Sequence, residues 1–115
     1  MIMIINIEDL PTKELGIMSI VLVGGHDRMH SQYKNVASKH GHKVKVYTQL
    51  TAGFEKSIGH PDAIVLFTDK VSHKMVWIAT KKAKKENIPI IRNHSSSISA
   101  LESVLKDMEK NEKVH

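Results

Sequence analysis

The stretch Ile17–His30, "IMSIVLVGGHDRMH", decides the architecture. Ile17 to Val23 is an apolar run of strand length, broken by one serine and closed by Gly24-Gly25. Apolar residues at consecutive positions suit a strand buried on both faces. Such a strand belongs in a parallel sheet with helices on either side. The two glycines let the chain leave that strand sharply. Met29, Tyr33, Val36 and Ala37 then recur at helical spacing as far as His40-Gly41, where glycine stops the helix. Asp27 is placed to cap its start.

The same alternation of elements continues along the chain. Val44, Val46 and Leu50 mark a second strand, and Ala52–Gly59 reads as a loop or one or two helical turns. Asp62 leads into Ala63-Ile64-Val65-Leu66-Phe67, a third buried strand ended by Thr68-Asp69-Lys70. Ser72 caps a helix whose inner stripe is Met75, Val76, Ile78, Ala79 and Ala83, and Asn87 ends it. Ile88-Pro89-Ile90-Ile91 is a fourth strand, and a proline near its start fits an edge position. Ser95–Ser97 cap a last helix with Ile98, Leu101, Val104, Leu105 and Met108 on its apolar face. Ser99 and Glu102 have capping-box spacing one turn later.

These elements predict a small Rossmann-like α/β domain over residues 17–110. Its parallel sheet has the flavodoxin-like order second, first, third, fourth, with helices on both faces. Residues 1–16 form an N-terminal arm and residues 111–115 a frayed tail. Ile2, Ile4, Ile5 and Leu10 make the arm apolar. Leaving that surface in water is costly, so the arm is expected to be buried in a homodimer.

With 115 residues a single domain is expected. There are no cysteines, which excludes disulfides, thiolate metal sites and cysteine nucleophiles. No apolar run approaches the roughly 18 residues needed to cross a bilayer. "MIMIINI" lacks the basic leader and the length of a secretory signal, so a cytoplasmic protein is expected. The net charge is +5, much of it from Lys81-Lys82-Ala83-Lys84-Lys85. Such a run is more often a solvated helix face than a nucleic-acid contact. With two phenylalanines, two tyrosines and one tryptophan, no stretch reads as a stacking platform for bases.

Eight histidines remain to be sorted by position. In the expected sheet order the chain reverses direction between the first and third strands. Ligands of open α/β sheets bind there, at the carboxyl ends of the strands. His26 and His30 follow the first strand, His73 the third and His94 the fourth, so all four fall on that edge. His40, His42 and His60 fall on the opposite edge. Trp77 lies one helical turn from His73. Met29, Met75, Trp77 and Tyr33 are candidates to line an apolar slot.

Three binding readings follow from this placement. His26, His30, His73 and His94, with Trp77, offer imidazoles for a haem iron or a divalent transition metal. Gly24, Gly25 and Arg28, with the helix starts at Ser72 and Ser95, offer an anion or nucleotide site. That motif lacks the third glycine of a dinucleotide fingerprint and the lysine and hydroxyl of a P-loop. A DNA-associated accessory using the lysine run is the third. His26 also keeps a phosphocarrier role open, without a supporting partner motif. Solvated capping residues are the plain structural reading of the same positions. Catalysis is disfavoured. Asp27 with His26, or Asp69 with His73, lacks a third orienting group, and Ser72 is adjacent to His73 in sequence rather than facing it.

"IVLVGGHDRMHSQY", "DAIVLFTDKVSHKMVWIATKKAKKENIPII" and "NHSSSISALE" resemble the uncharacterised bacterial family catalogued as domain of unknown function 2325. The resemblance covers about residues 18–105, and Gly24-Gly25-His26, Ser72-His73 and Trp77 carry it. It implies a compact Rossmann-like domain, with no agreed activity and no settled catalytic residues.

The arm generates one test. Deleting residues 1–16 is expected to yield monomer or aggregate. A sedimentation experiment that finds a stable monomer with and without the arm refutes the dimer.

Overall fold

The computed structural model describes residues 17–113, with side chains as far as Glu109. The expected dimer arm lies outside the described residues. Four strands alternate with four helices: β1 Ser19–Val23, α1 His30–Lys39, β2 Lys43–Tyr47, α2 Phe54–Ile58, β3 Ala63–Phe67, α3 His73–Glu86, β4 Ile90–Asn93 and α4 Ile98–Lys113. A 3₁₀ turn, Asp27–Met29, links β1 to α1. The sheet is parallel throughout, in the order β2-β1-β3-β4.

The period of two along a strand explains why the central runs are apolar at every position. On β1, Ile20 and Leu22 face α1 and α4, whereas Val21 and Val23 face α2 and α3. On β3, Ala63, Val65 and Phe67 join the first of these cores, and Ile64 and Leu66 the second. Tyr33, Ala37, Leu101, Val104, Leu105 and Met108 close the first core from its helices. Phe54, Ile58, Met75, Ala79 and Ala83 close the second. The edge strands are less buried: β2 alternates between exposed and covered positions, and β4 packs Ile91 on the first core and Ile90 on the second. Pro89 stands just before β4 on the outer edge, where its missing N–H costs no ladder bond.

Several local expectations change. Asp27 does not cap α1. His26 holds the cap position of the 3₁₀ turn without a side-chain bond, and the Asp27 carboxylate accepts from the Thr48 hydroxyl at 2.8 Å. Leu50 falls outside β2 and is exposed, because the strand ends at Tyr47. The cap of α4 does come from the Ser95–Ser97 run: the Ser97 hydroxyl accepts from the Ala100 N–H at 3.1 Å. α4 then runs to Lys113, into the segment expected to fray. Ser72 does cap α3, accepting from the Met75 N–H, and Asn87 ends that helix in the left-handed conformation at φ 56°.

The amino edge of the sheet is closed by a polar clasp. His42 is buried, and its Nδ1 accepts from the Met18 N–H at 2.9 Å. The ring proton therefore sits on Nε2, which donates to Glu109 at 2.9 Å. His40 donates to the same carboxylate oxygen through Nδ1 at 2.8 Å. The end of α4 is thus tied to the start of β2. Burial pushes the Glu109 carboxyl up, but the hydrogen bonds from His40 and His42 outweigh it and hold the group below its ordinary value.

A group with a depressed folded pKa stabilises the fold fully above its unfolded pKa, near 4.3, and that contribution is lost as pH falls through the folded value. The acid limb of urea stability, below about pH 5, is therefore expected to be shallower in Glu109→Gln than in the wild type. His42→Ala orphans the Met18 N–H and is expected to cost about 1–3 kcal/mol at neutral pH.

Candidate functional site

The chain reverses direction between β1 and β3, and the loops at the carboxyl ends of these strands meet there. The Gly24 N–H donates to the Tyr47 carbonyl at 2.8 Å and the Gly25 N–H to the Lys70 carbonyl at 2.7 Å. Both glycines have φ near +95°, at 100° and 90°, a region that other residues rarely enter. A Cβ on Gly24 would stand 2.6 Å from the Phe67 carbonyl oxygen. One on Gly25 would stand 2.7 Å from the Tyr33 hydroxyl. The glycines therefore clear space for the protein's own backbone and for one tyrosine. Their N–H groups are engaged by internal carbonyls.

Tyr33 is the hub of the edge. Its ring is buried against Phe67, with centroids 5.6 Å apart. Its hydroxyl donates to the Ser96 carbonyl at 2.7 Å and accepts from the His26 N–H at 3.3 Å. The Ser96 N–H and hydroxyl both donate to Asp69, at 3.2 and 3.1 Å. One network thus joins the loops after β1, β3 and β4. Thr48 holds Asp27 from the loop after β2. In the sequence Tyr33 reads as part of a helical stripe and as a candidate lining of an apolar slot, not as a hydrogen-bonding hub. Its separation of 63 residues from Ser96 hides the pairing. The available signal was that a buried tyrosine hydroxyl needs a partner.

The four histidines of the carboxyl edge differ in partners and exposure. His30 turns its Nε2 to the Val46 carbonyl at 3.1 Å, which commits that nitrogen to the backbone. His26 is half-buried, and His73 and His94 are exposed. Among the described residues, no three His, Asp or Glu side chains are grouped to hold a metal ion. The apolar slot is divided as well. Tyr33 and Met29 pack on the α1/α4 face of the sheet and Met75 on the α2/α3 face, while Trp77 points into solvent at 61% exposure. The sheet itself separates these side chains.

What the edge does present is cationic. Arg28 follows the glycine turn, Lys70 follows β3, and Arg92 lies near the end of β4; all three are exposed. Asp27 and Asp69, adjacent in sequence to Arg28 and Lys70, are engaged by Thr48 and by Ser96. Among the described residues, the ion pair Lys82–Glu86 and the histidine–carboxylate contacts of His40 and His42 with Glu109 and of His60 with Glu86 are found elsewhere. All of these lie at the amino edge. Beside the carboxyl edge, a shallow cleft of about 610 Å³ opens between the β2–α2 loop and α3, with Leu50, Phe54, Lys74 and Ile78 in its walls.

Residues 19–108 match the model of a family described as an uncharacterized protein conserved in bacteria, domain of unknown function 2325. The chain belongs to this family. The matched span contains all nine elements from β1 up to the last turn of α4 and includes the Tyr33–Ser96–Asp69 network. No curated protein matches the chain. Among solved structures, a de novo designed Rossmann-fold protein is similar, with a TM-score of 0.53 at 16% identity, over 82% of this chain and 98% of that one. At that identity the likeness is one of fold alone.

The hub is testable by a single atom. Tyr33→Phe keeps the ring and removes the hydroxyl, leaving the Ser96 carbonyl and the His26 N–H unpaired. It is expected to cost about 1–3 kcal/mol in urea unfolding. Gly25→Ala should be at least as damaging, because its methyl displaces the same hydroxyl and strains the backbone as well.

Proposed function

We propose that this family member is a non-enzymatic binding module for a small anion, carrying phosphate or carboxylate groups, at the carboxyl edge over the junction of β1 and β3. The separation of charge supports this reading. Arg28, Lys70 and Arg92 are exposed at the edge while the adjacent Asp27 and Asp69 are bonded to Thr48 and Ser96, and the histidine–carboxylate and lysine–carboxylate pairs collect at the other end of the sheet. Open α/β sheets take ligands at this junction, where the loops diverge. Because the glycine N–H groups are committed, side chains supply recognition, with Arg28 suited to bidentate contact.

A binding role is favoured over catalysis by the same bonds. Ser72 spends its hydroxyl on the α3 cap, and Asp27 and Asp69 are held by neighbouring hydroxyls. Neither carboxylate orients a histidine. A haem or metal site keeps His26, His73 and His94 at this edge, but it needs ligand side chains brought together, whereas an anion does not.

Thermal unfolding of the full chain with millimolar pyrophosphate or citrate tests the proposal. A ligand at 100 times its Kd stabilises by about 2.7 kcal/mol. Arg28→Ala and Lys70→Ala should each lose the shift, and Lys43→Ala, at the amino edge, should keep it. No shift with either anion, or a shift that Arg28→Ala retains, overturns the reading. Uptake of haemin or a transition metal that is lost in His26→Ala and His73→Ala would replace it with the haem or metal reading.

A further inference from the structure

The outward face of α3 has a composition that neither the core nor the carboxyl edge explains. Ser72 caps the helix and Met75, Ala79 and Ala83 anchor it to the sheet. The exposed residues along its length are His73, Lys74, Trp77, Lys81, Lys84 and Lys85. Lys74, Trp77, Lys81 and Lys84 follow at spacings of three, four and three, so they form one stripe. On this 14-residue helix the stripe from Lys74 to Lys84 runs for about 15 Å. No acid lies on it. Glu86, at the flank, is occupied by Lys82 at 2.6 Å and by His60 at 3.3 Å.

In the middle of this cationic ridge stands Trp77, the single tryptophan of the chain, 61% exposed. Lys81 reaches over its ring, with Nζ 4.6 Å from the centroid. Exposing an indole forfeits the large area that tryptophan usually buries. The cation–π contact holds the ring against the ridge, and Trp77 lies away from both apolar cores.

We infer that this face is a docking surface for single-stranded nucleic acid. The lysines track the phosphates, and Trp77 stacks on a base. Charge complementarity selects a polyanion, and the indole selects one with flat apolar faces. A duplex hides its base faces within the stack. A membrane surface calls for an apolar helix face, and this stripe has one indole flanked by lysines. The ridge is independent of the anion site, which uses Arg28 and Lys70.

The single tryptophan makes the test direct. Titration of the full chain with an oligothymidylate at low salt should quench its fluorescence, since stacking reports at Trp77. The logarithm of affinity should fall linearly with the logarithm of salt concentration, by about 0.7 per phosphate neutralised. By anisotropy of a labelled oligonucleotide, Trp77→Ala should weaken binding by about tenfold or more. Lys84→Glu with Lys85→Glu should weaken it further, whereas Arg28→Ala should leave it unchanged. Circular dichroism should show the wild-type fold in each variant, because every altered side chain is exposed. Absence of binding, equal affinity for duplex, or equal affinity for heparin without quenching overturns the inference. Quenching by polyglutamate that displaces the oligonucleotide overturns it in favour of an acidic protein partner.

Discussion

The Tyr33 hydroxyl is the constraint on which the carboxyl edge depends. It is buried against Phe67, so it must find partners inside the protein. It finds the Ser96 carbonyl and the His26 N–H. That requirement fixes where the loop after β4 crosses and leaves room at position 25 for hydrogen only. Asp69 then holds Ser96 from the other side. A glycine pair that reads as a ligand motif is, in the folded chain, the space that one phenol needs.

The two ends of the sheet are built by different means. At the amino edge, His42 and His40 share the Glu109 carboxylate, and His60 and Lys82 share Glu86, so each carboxylate is met by nitrogen donors. At the carboxyl edge the acids are met by hydroxyls and N–H groups, and the cations are left to solvent. A hydroxyl satisfies a carboxylate without neutralising it, so Asp27 and Asp69 keep their charges, and the three cations Arg28, Lys70 and Arg92 exceed these two acids by one. The outward face of α3 extends the same imbalance along the side of the molecule. Separate parts of one small surface are thereby electropositive, one at the loops and one along a helix.

The order of elements and the sheet topology were legible in the sequence. Consecutive apolar residues in β1 and β3 can only be satisfied from both sides, and the helical stripes of α1, α3 and α4 need a sheet to cover. The element least visible was α2, whose five residues are too few for a periodic pattern, although Phe54 and Ile58 are deeply buried. Capping was read correctly at Ser72, where one hydroxyl precedes the helix. At Asp27 it was misread, because Thr48, 21 residues away, takes the carboxylate.

The site was legible as a place and not as a chemistry. Strand order alone put His26, His30, His73 and His94 at one edge and His40, His42 and His60 at the other, since a residue's place before or after a strand follows from chain direction. Whether imidazoles converge depends on side-chain direction and on which backbone groups compete for them. His30 found the Val46 carbonyl, and His42 found Met18 and Glu109. Likewise, the count of aromatics argued against a base-stacking surface, yet only the packed helix shows the single indole centred among lysines. The sequence by itself determined the fold, because burial pattern and period are local properties of the chain. Tertiary structure alone decided the partners of each polar group, because those lie as far as 69 residues apart and are chosen by geometry.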